Sequence, residues 1–236
     1  MLELLKNKKI LIVVAHPDDE ILGPGATMNH LITNYGVSAK VVILGEGISS
    51  RFDGQASEQK NNELKIHHDN IYESQKVIGY HSVSTYSFPD NRFDSVSLLD
   101  IIKVVEKEKE IFKPDVIFTH HGGDLNIDHQ RTFEAVMTAC RPLAIEKVKN
   151  IFTFEVPSST EWQPSISLNN FLPNIFIEVS EGNILKKIEA MEKYQFERRE
   201  YPHPRSPEAL MILAKKRGIE VGKYFAESFC LIRSVN

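Results

Sequence analysis

Cysteine is scarce in this chain. Cys140 and Cys230 are the only two in 236 residues, and they fit no CxxC pattern. A disulfide framework and a cysteine zinc knuckle are thereby excluded. Basic charge is not in excess either: 28 Lys and Arg face 32 Asp and Glu, a net charge of -4. Nucleic-acid binders show a basic balance or a clustered basic face, so nucleic acid is not an expected partner. Long apolar runs are also missing, and no stretch reaches the roughly 18 residues needed to cross a bilayer. The early run Ile10–Ala15 follows Lys6, Lys8 and Lys9, as a signal peptide would. It is too short for one and runs into His-Pro-Asp-Asp-Glu instead of a small-residue cleavage site. No membrane partner is expected, and the expected compartment is the cytoplasm.

What is present is an ordinary globular composition, 42% hydrophobic and 25% charged. Continuous β-branched runs at 10–15, 39–44 and 116–119 read as strands buried on both faces, with a further strand at 83–88. Helical stretches are expected at about 20–35, 57–78, 98–112 and 129–141. Strand and helix alternate through the first 140 residues, the pattern of a parallel sheet wound with helices. The remainder is less regular: strands are expected at 151–156, 175–179 and 225–232, and helices at 183–199 and 207–217. The expected fold is therefore α/β, Rossmann-like and three-layered, with a mostly parallel sheet and an irregular C-terminal extension. One domain over 1–236 is expected, with its core at about 9–141.

Ligands in such sheets collect beyond the carboxyl ends of the strands. The first strand ends in Ala15-His-Pro-Asp-Asp-Glu20, and the fourth leads into His120-His-Gly-Gly-Asp-Leu-Asn-Ile-Asp-His129. A dinucleotide cofactor would need a glycine-rich turn after the first strand. Here that turn carries Asp18, Asp19 and Glu20, which would repel phosphate. A metal suits the same residues better. His16 and Asp19 lie three apart across a tight Pro-containing turn, and His129 is the natural third ligand. Imidazole and carboxylate in that number leave a catalytic zinc an open position for water. Asp18 then stands beside the ion without binding it, placed to accept the water's proton. The bland alternative is a solvated turn that caps the next helix.

With these residues quoted, the sequence resembles the PIG-L/LmbE deacetylases, zinc hydrolases that remove N-acetyl groups from amino sugars. The resemblance implies His16, Asp19 and His129 as metal ligands and Asp18 as general base. It implies a substrate-holding role for Arg51, in Gly45-Glu-x-x-x-x-Arg51, and an imidazole-orienting role for Asp128. One position departs from the commoner His-x-Asp-His pattern, since Asn126 stands where the first histidine would be. Asn can donate to an oxyanion but cannot shuttle a proton, which passes the acid role to Asp18, His203 or water.

Other features carry weaker expectations. Trp162 is a candidate sugar-stacking wall, with core packing the plainer role. His120 and His121 are read as ligand-orienting or as strand-end histidines satisfied by backbone. The stretch Arg198–Ser206 gathers arginines and His203 between prolines. His203 and Arg205 are read there as substrate contacts, or as part of a surface loop or subunit contact. With Arg51 they lean toward a sugar carrying a negative group, such as a nucleotide sugar. The expected activity is thus release of acetate from an N-acetylated amino sugar, with Zn2+ or Fe2+ as cofactor. The alternatives are an amidase for another small amide such as a thiol conjugate, and a metal- or sugar-binding protein without turnover. A two-metal phosphoesterase would draw on His120, His121 and Asp124. Assembly into a homo-oligomer is left open.

Overall fold

The computed structural model describes residues 1–51, 58–164 and 169–235. The strands are β1 (Lys9–Val14), β2 (Ser38–Gly45), β3 (Ser82–Phe88), β4 (Val116–His120), β5 (Asn150–Phe154), β6 (Ile175–Glu178) and β7 (Ala226–Ser234). The helices are α1 (Leu2–Leu5), α2 (Asp19–Leu22), α3 (Gly25–Tyr35), α4 (Glu58–Ile78), α5 (Leu98–Phe112), α6 (Ile127–Ala139), α7 (Glu181–Lys193) and α8 (Pro207–Ile219). One seven-stranded sheet runs in the order β3-β2-β1-β4-β5-β7-β6. β1 to β5 pair in parallel, and β7 pairs antiparallel with both β5 and β6. This is the α/β architecture expected from the alternation of strands and helices.

Both faces of the central strands are covered, which explains their uninterrupted apolar runs. Ile10, Ile12 and Val14 face one hydrophobic cluster, shared with Ala26, Met28, Leu31, Ile71, Ile184 and Leu210. Leu11, Val13 and Ala15 face the other, shared with Ile101, Val105, Ala135 and Val136. Strand periodicity thus sorts α3, α4, α7 and α8 to one side and α5 and α6 to the opposite side.

Two of the expected helices differ clearly in extent. The helix expected over 20–35 is two, α2 and α3, parted at Gly23-Pro24. Proline lacks the N–H that a helix interior needs. A Cβ on Gly23 would sit 2.3 Å from the Phe154 ring, so the chain must pass that ring as glycine. The helix expected over 183–199 ends at Lys193, because Tyr194 turns in to fill the core, fully buried. The three strands expected in the less regular last third are present as β5, β6 and β7 and extend the same sheet, and Phe152, Phe154 and Phe229 join its main cluster.

Candidate metal-centred active site

β1 and β4 are neighbours at the centre of the sheet, while the chain leaves β1 toward β2 and β4 toward β5. That reversal opens a crevice beyond their carboxyl ends. The turn at 15–18 after β1 and the loop at 121–126 after β4 fill it, followed by α2 and α6. A cavity of about 140 Å3 lies there, lined by residues that include His16, Asp18, Asp19, Arg51, Asn126, His129, Glu197 and Arg205.

His16, Asp19 and His129 are buried, and one ligand atom from each lies within 4.8 Å of the others. The Asp19 carboxylate stands 3.6 Å from His16 Nδ1 and 3.4 Å from His129 Nε2. The far nitrogens of both rings face carboxylates: His16 Nε2 lies 2.8 Å from Asp128, and His129 Nδ1 lies 3.1 Å from Asp124. A metal-binding histidine characteristically has its second nitrogen engaged in this way, which fixes the tautomer and aims the first. Asp128 is itself anchored by the backbone N–H groups of Asn91 and Phe93 at 2.6 and 2.8 Å. Its partner is thus His16, across the sheet.

The electrostatics favour a cation. Burial works against charging His129, yet Asp19 and Asp124 raise its pKa to about 9. Burial likewise opposes charge on His16, but Asp128 and Asp19 lift its pKa well above the usual imidazole value. Burial pushes Asp19 up, and the charge and hydrogen bond of His129, with the hydrogen bond of His16, overcome it, so its carboxyl titrates well below the usual range. His120, pushed down to about 3 by burial and by His129, is neutral. It accepts the Ala15 N–H at 2.9 Å and stacks on His129 with ring centres 3.9 Å apart. The donor set and its carboxylate backing fit a divalent transition metal.

Asp18 lies in the same cavity but outside that ligand group. It is the N-cap residue of α2, but its side chain makes no cap hydrogen bond, and its carboxylate meets Arg205 Nη1 at 2.8 Å. Burial raises its pKa well above the usual range, with Arg205 opposing. Asn126 is the N-cap of α6: its Oδ1 accepts the Asp128 N–H at 2.8 Å and its Nδ2 donates to Asn91 Oδ1 at 3.1 Å. Arg51 and Arg205 line the cavity; His203 is not among its lining residues. His203 Nδ1 accepts the Arg205 N–H at 3.2 Å, and its ring meets the half-exposed Trp162 edge-on at 6.0 Å.

Residue-level comparison places this geometry in a family. The model of PIG-L, the GlcNAc-PI de-N-acetylases, matches residues 11–140. The chain belongs to the PIG-L family. It is 30% identical over 197 residues to the uncharacterized deacetylase YaiS of Escherichia coli K12, covering 80% of this chain and 92% of that one. Among solved structures it resembles the N,N'-diacetylchitobiose deacetylase of Pyrococcus horikoshii, with TM-score 0.74, 19% identity and coverage of 98% and 88% of the two chains. It resembles GalB, a 4-carboxy-2-hydroxymuconate hydratase of Pseudomonas putida, equally well, with TM-score 0.74, 17% identity and 97% and 98% coverage. At these identities the likeness is one of fold, and a fold can host unrelated chemistries.

Sequence reasoning passed over Asp90, Asn91 and Glu197, which this PIG-L chain brings into or against the cavity, and weighed Asp124 only as a ligand of a two-metal site. Asp90 lies 3.3 Å from His16 Nε2, and its other oxygen accepts the Ser50 N–H and hydroxyl. It stands directly after β3, so a carboxylate at a strand's carboxyl end was the available signal. Asn91 contacts Asp128 and Asn126. Asp124 backs His129 and accepts hydroxyls from Ser159 and Thr160. Glu197 binds both Arg51 and Arg205, and it immediately precedes the arginine-rich stretch that drew attention.

Proposed function

We propose that this chain is a metal-dependent hydrolase that removes the N-acetyl group from an amino sugar. The observation that carries the reading is the division of labour at 16–19: Asp19 faces two imidazoles in a ligand group, while Asp18 reaches the same cavity outside it. His16, Asp19 and His129 would hold the metal, Zn2+ or Fe2+. Such an ion supplies Lewis acidity to an acyl oxygen and acidity to a water.

The chain's own groups do the rest. Asp18 accepts the proton of the attacking water, and its raised affinity for protons suits returning that proton to the leaving amine. That return covers the acid role for which Asn126 has no titratable group. Asn126 offers an N–H donor at the cavity, which must turn from Asn91 to meet the developing oxyanion. Asp128 and Asp124 act through the imidazoles as positioning groups. Arg51 and Arg205 contact the sugar.

The test is acetate release from a panel of N-acetylated amino sugars, with and without a chelator, alongside metal analysis. Activity should disappear with the metal and return with Zn2+ or Fe2+. Asp18→Asn should retain the metal and lose about 10²–10⁴-fold in rate, as removal of a general base does. Metal content falling in step with activity would make Asp18 a ligand. Turnover indifferent to the chelator would end the metal-dependent reading.

A further inference from the structure

Two arginines at a cavity suggest an anionic substrate. Their surroundings say otherwise. Glu197, only 4% exposed, accepts from Arg51 Nη2 through one oxygen and from Arg205 Nη1 at 2.7 Å through the other. Arg205 Nη1 reaches on to Asp18 at 2.8 Å, and its Nε donates to Ser158 Oγ at 2.7 Å. The result is a continuous chain of alternating charge, Arg51–Glu197–Arg205–Asp18, along one wall of the cavity.

The charge balance among the described lining residues agrees. Asp18, Asp19, Asp90 and Glu197 stand against Arg51 and Arg205, four carboxylates to two guanidinium groups. The lining is formally two charges negative, and a divalent cation brings it only to neutrality. Among the described lining residues no positive charge is left over to neutralise a phosphate. A phosphate that took either arginine would leave Glu197 buried and partly unpaired, which is costly. A sugar hydroxyl meets no such conflict, because it can accept from a guanidinium and donate to the carboxylate beside it without parting them.

The geometry points to Glu197 as a specificity-determining residue that restricts the site to uncharged sugars, by occupying both arginines that an anionic group would need. This rests on the deacetylase reading for its choice of sugars. Discrimination here is built partly from repulsion, since an anionic group must approach Glu197 and Asp18 to reach Arg205.

The test measures binding of N-acetylglucosamine and N-acetylglucosamine 6-phosphate to the metal-loaded protein by calorimetry, with acetate release followed in parallel. Wild type should bind the neutral sugar about tenfold or more tightly than the phosphorylated one, because like-charge juxtaposition is penalised. Glu197→Gln frees a unit of positive charge and should shift that ratio toward the phosphorylated sugar by about tenfold or more. Glu197→Asp, which keeps the charge, should hold the ratio near that of wild type. A wild-type protein that prefers the phosphorylated sugar overturns the inference whether or not any variant folds. So does a ratio unmoved in Glu197→Gln. Sugars that bind in the expected order without releasing acetate would refute the deacetylase reading and leave the charge argument standing.

Discussion

Asp18 is held with φ at 103° and ψ at -28°, a left-handed conformation that a non-glycine residue keeps only when its surroundings impose it. Its N–H donates to Glu20 Oε2 at 3.0 Å, and the other Glu20 oxygen accepts the Tyr194 hydroxyl at 2.5 Å. The buried Glu20 carboxyl is pushed up to about 7. Within 16–20 the His16 N–H also donates to Asp19 at 2.8 Å. These bonds inside the motif are why it could be read from sequence, although Tyr194 and Arg205 brace it from far along the chain. Asp128 and Glu197 were harder, because one partner of each, His16 and Arg51, lies more than a hundred residues away. Asn126 combines two jobs that substitution can separate. Asn126→Asp keeps an acceptor for the Asp128 N–H, and Asp caps helices as well as Asn, so stability should change by less than about 1 kcal/mol. The N–H donor is lost, and kcat should fall by about 10²–10³ if that donor meets the oxyanion. Urea melts beside steady-state kinetics check this, and an unchanged kcat would leave Asn126 with the cap alone.

At the scale of elements, the end of α2, the helix that begins at Asp19, is tied to β7, the strand next to the edge of the sheet. Lys187 of α7 donates to the carbonyls of Leu22 and Gly23 at 2.7 and 3.0 Å and to Glu227 of β7 at 2.6 Å. Glu227 accepts the N–H groups of Ala26 and Thr27 in the first turn of α3. No hydrophobic pattern signals such a knot, whereas the strands were legible because their alternating faces are both buried. Lys187→Met leaves the Glu227 carboxylate buried without its ammonium and should cost about 3–5 kcal/mol. The double variant Lys187→Met, Glu227→Gln should recover part of that loss, as equilibrium denaturation will show. A second knot packs α4 against the segment after α7. His67 is 2% exposed, with both ring nitrogens lacking a hydrogen-bond partner among the described residues and its ring against Tyr194 and Phe196. Burial lowers its pKa from 6.5 to about 4. Between those values the unfolded chain binds a proton that the folded one refuses, so stability falls as pH drops from about 6.5 toward 4. His67→Leu removes that loss, worth about 3 kcal/mol at most. Urea midpoints at neutral and acid pH should therefore move in the variant's favour on acidification.

Across the whole molecule, the site is assembled from both directions of the sheet's reversal: the turn after β1, the loop after β4, Asp90 after β3 and the 197–205 segment after α7. The alternation of elements was enough to bring His16 and His129 to one crevice, because that follows from topology. In the last third Arg205 was read as a substrate contact and does line the cavity, whereas Glu197 was not read, since no spacing rule fixes how the segment at 197–205 folds onto the site. Three acidic groups, Asp19, Asp124 and Asp128, are buried around two histidines whose proton affinities are raised. Without a metal those rings carry the positive charge that the carboxylates demand. A metal that takes their place must displace protons, and its binding to the folded chain adds directly to stability. At about a hundred times its dissociation constant the gain is about 2.7 kcal/mol. For a chain of this length that corresponds to a rise in Tm of about 5–10 °C. With His129 titrating near 9, the rise should grow as pH increases from neutral toward that value, because fewer protons compete. Thermal melts with Zn2+ and with chelator, at several pH values, measure this without any substrate. His129→Ala should lose most of the metal-induced rise, while Asp18→Asn should keep it. A Tm that ignores the metal throughout would remove His16, Asp19 and His129 as ligands.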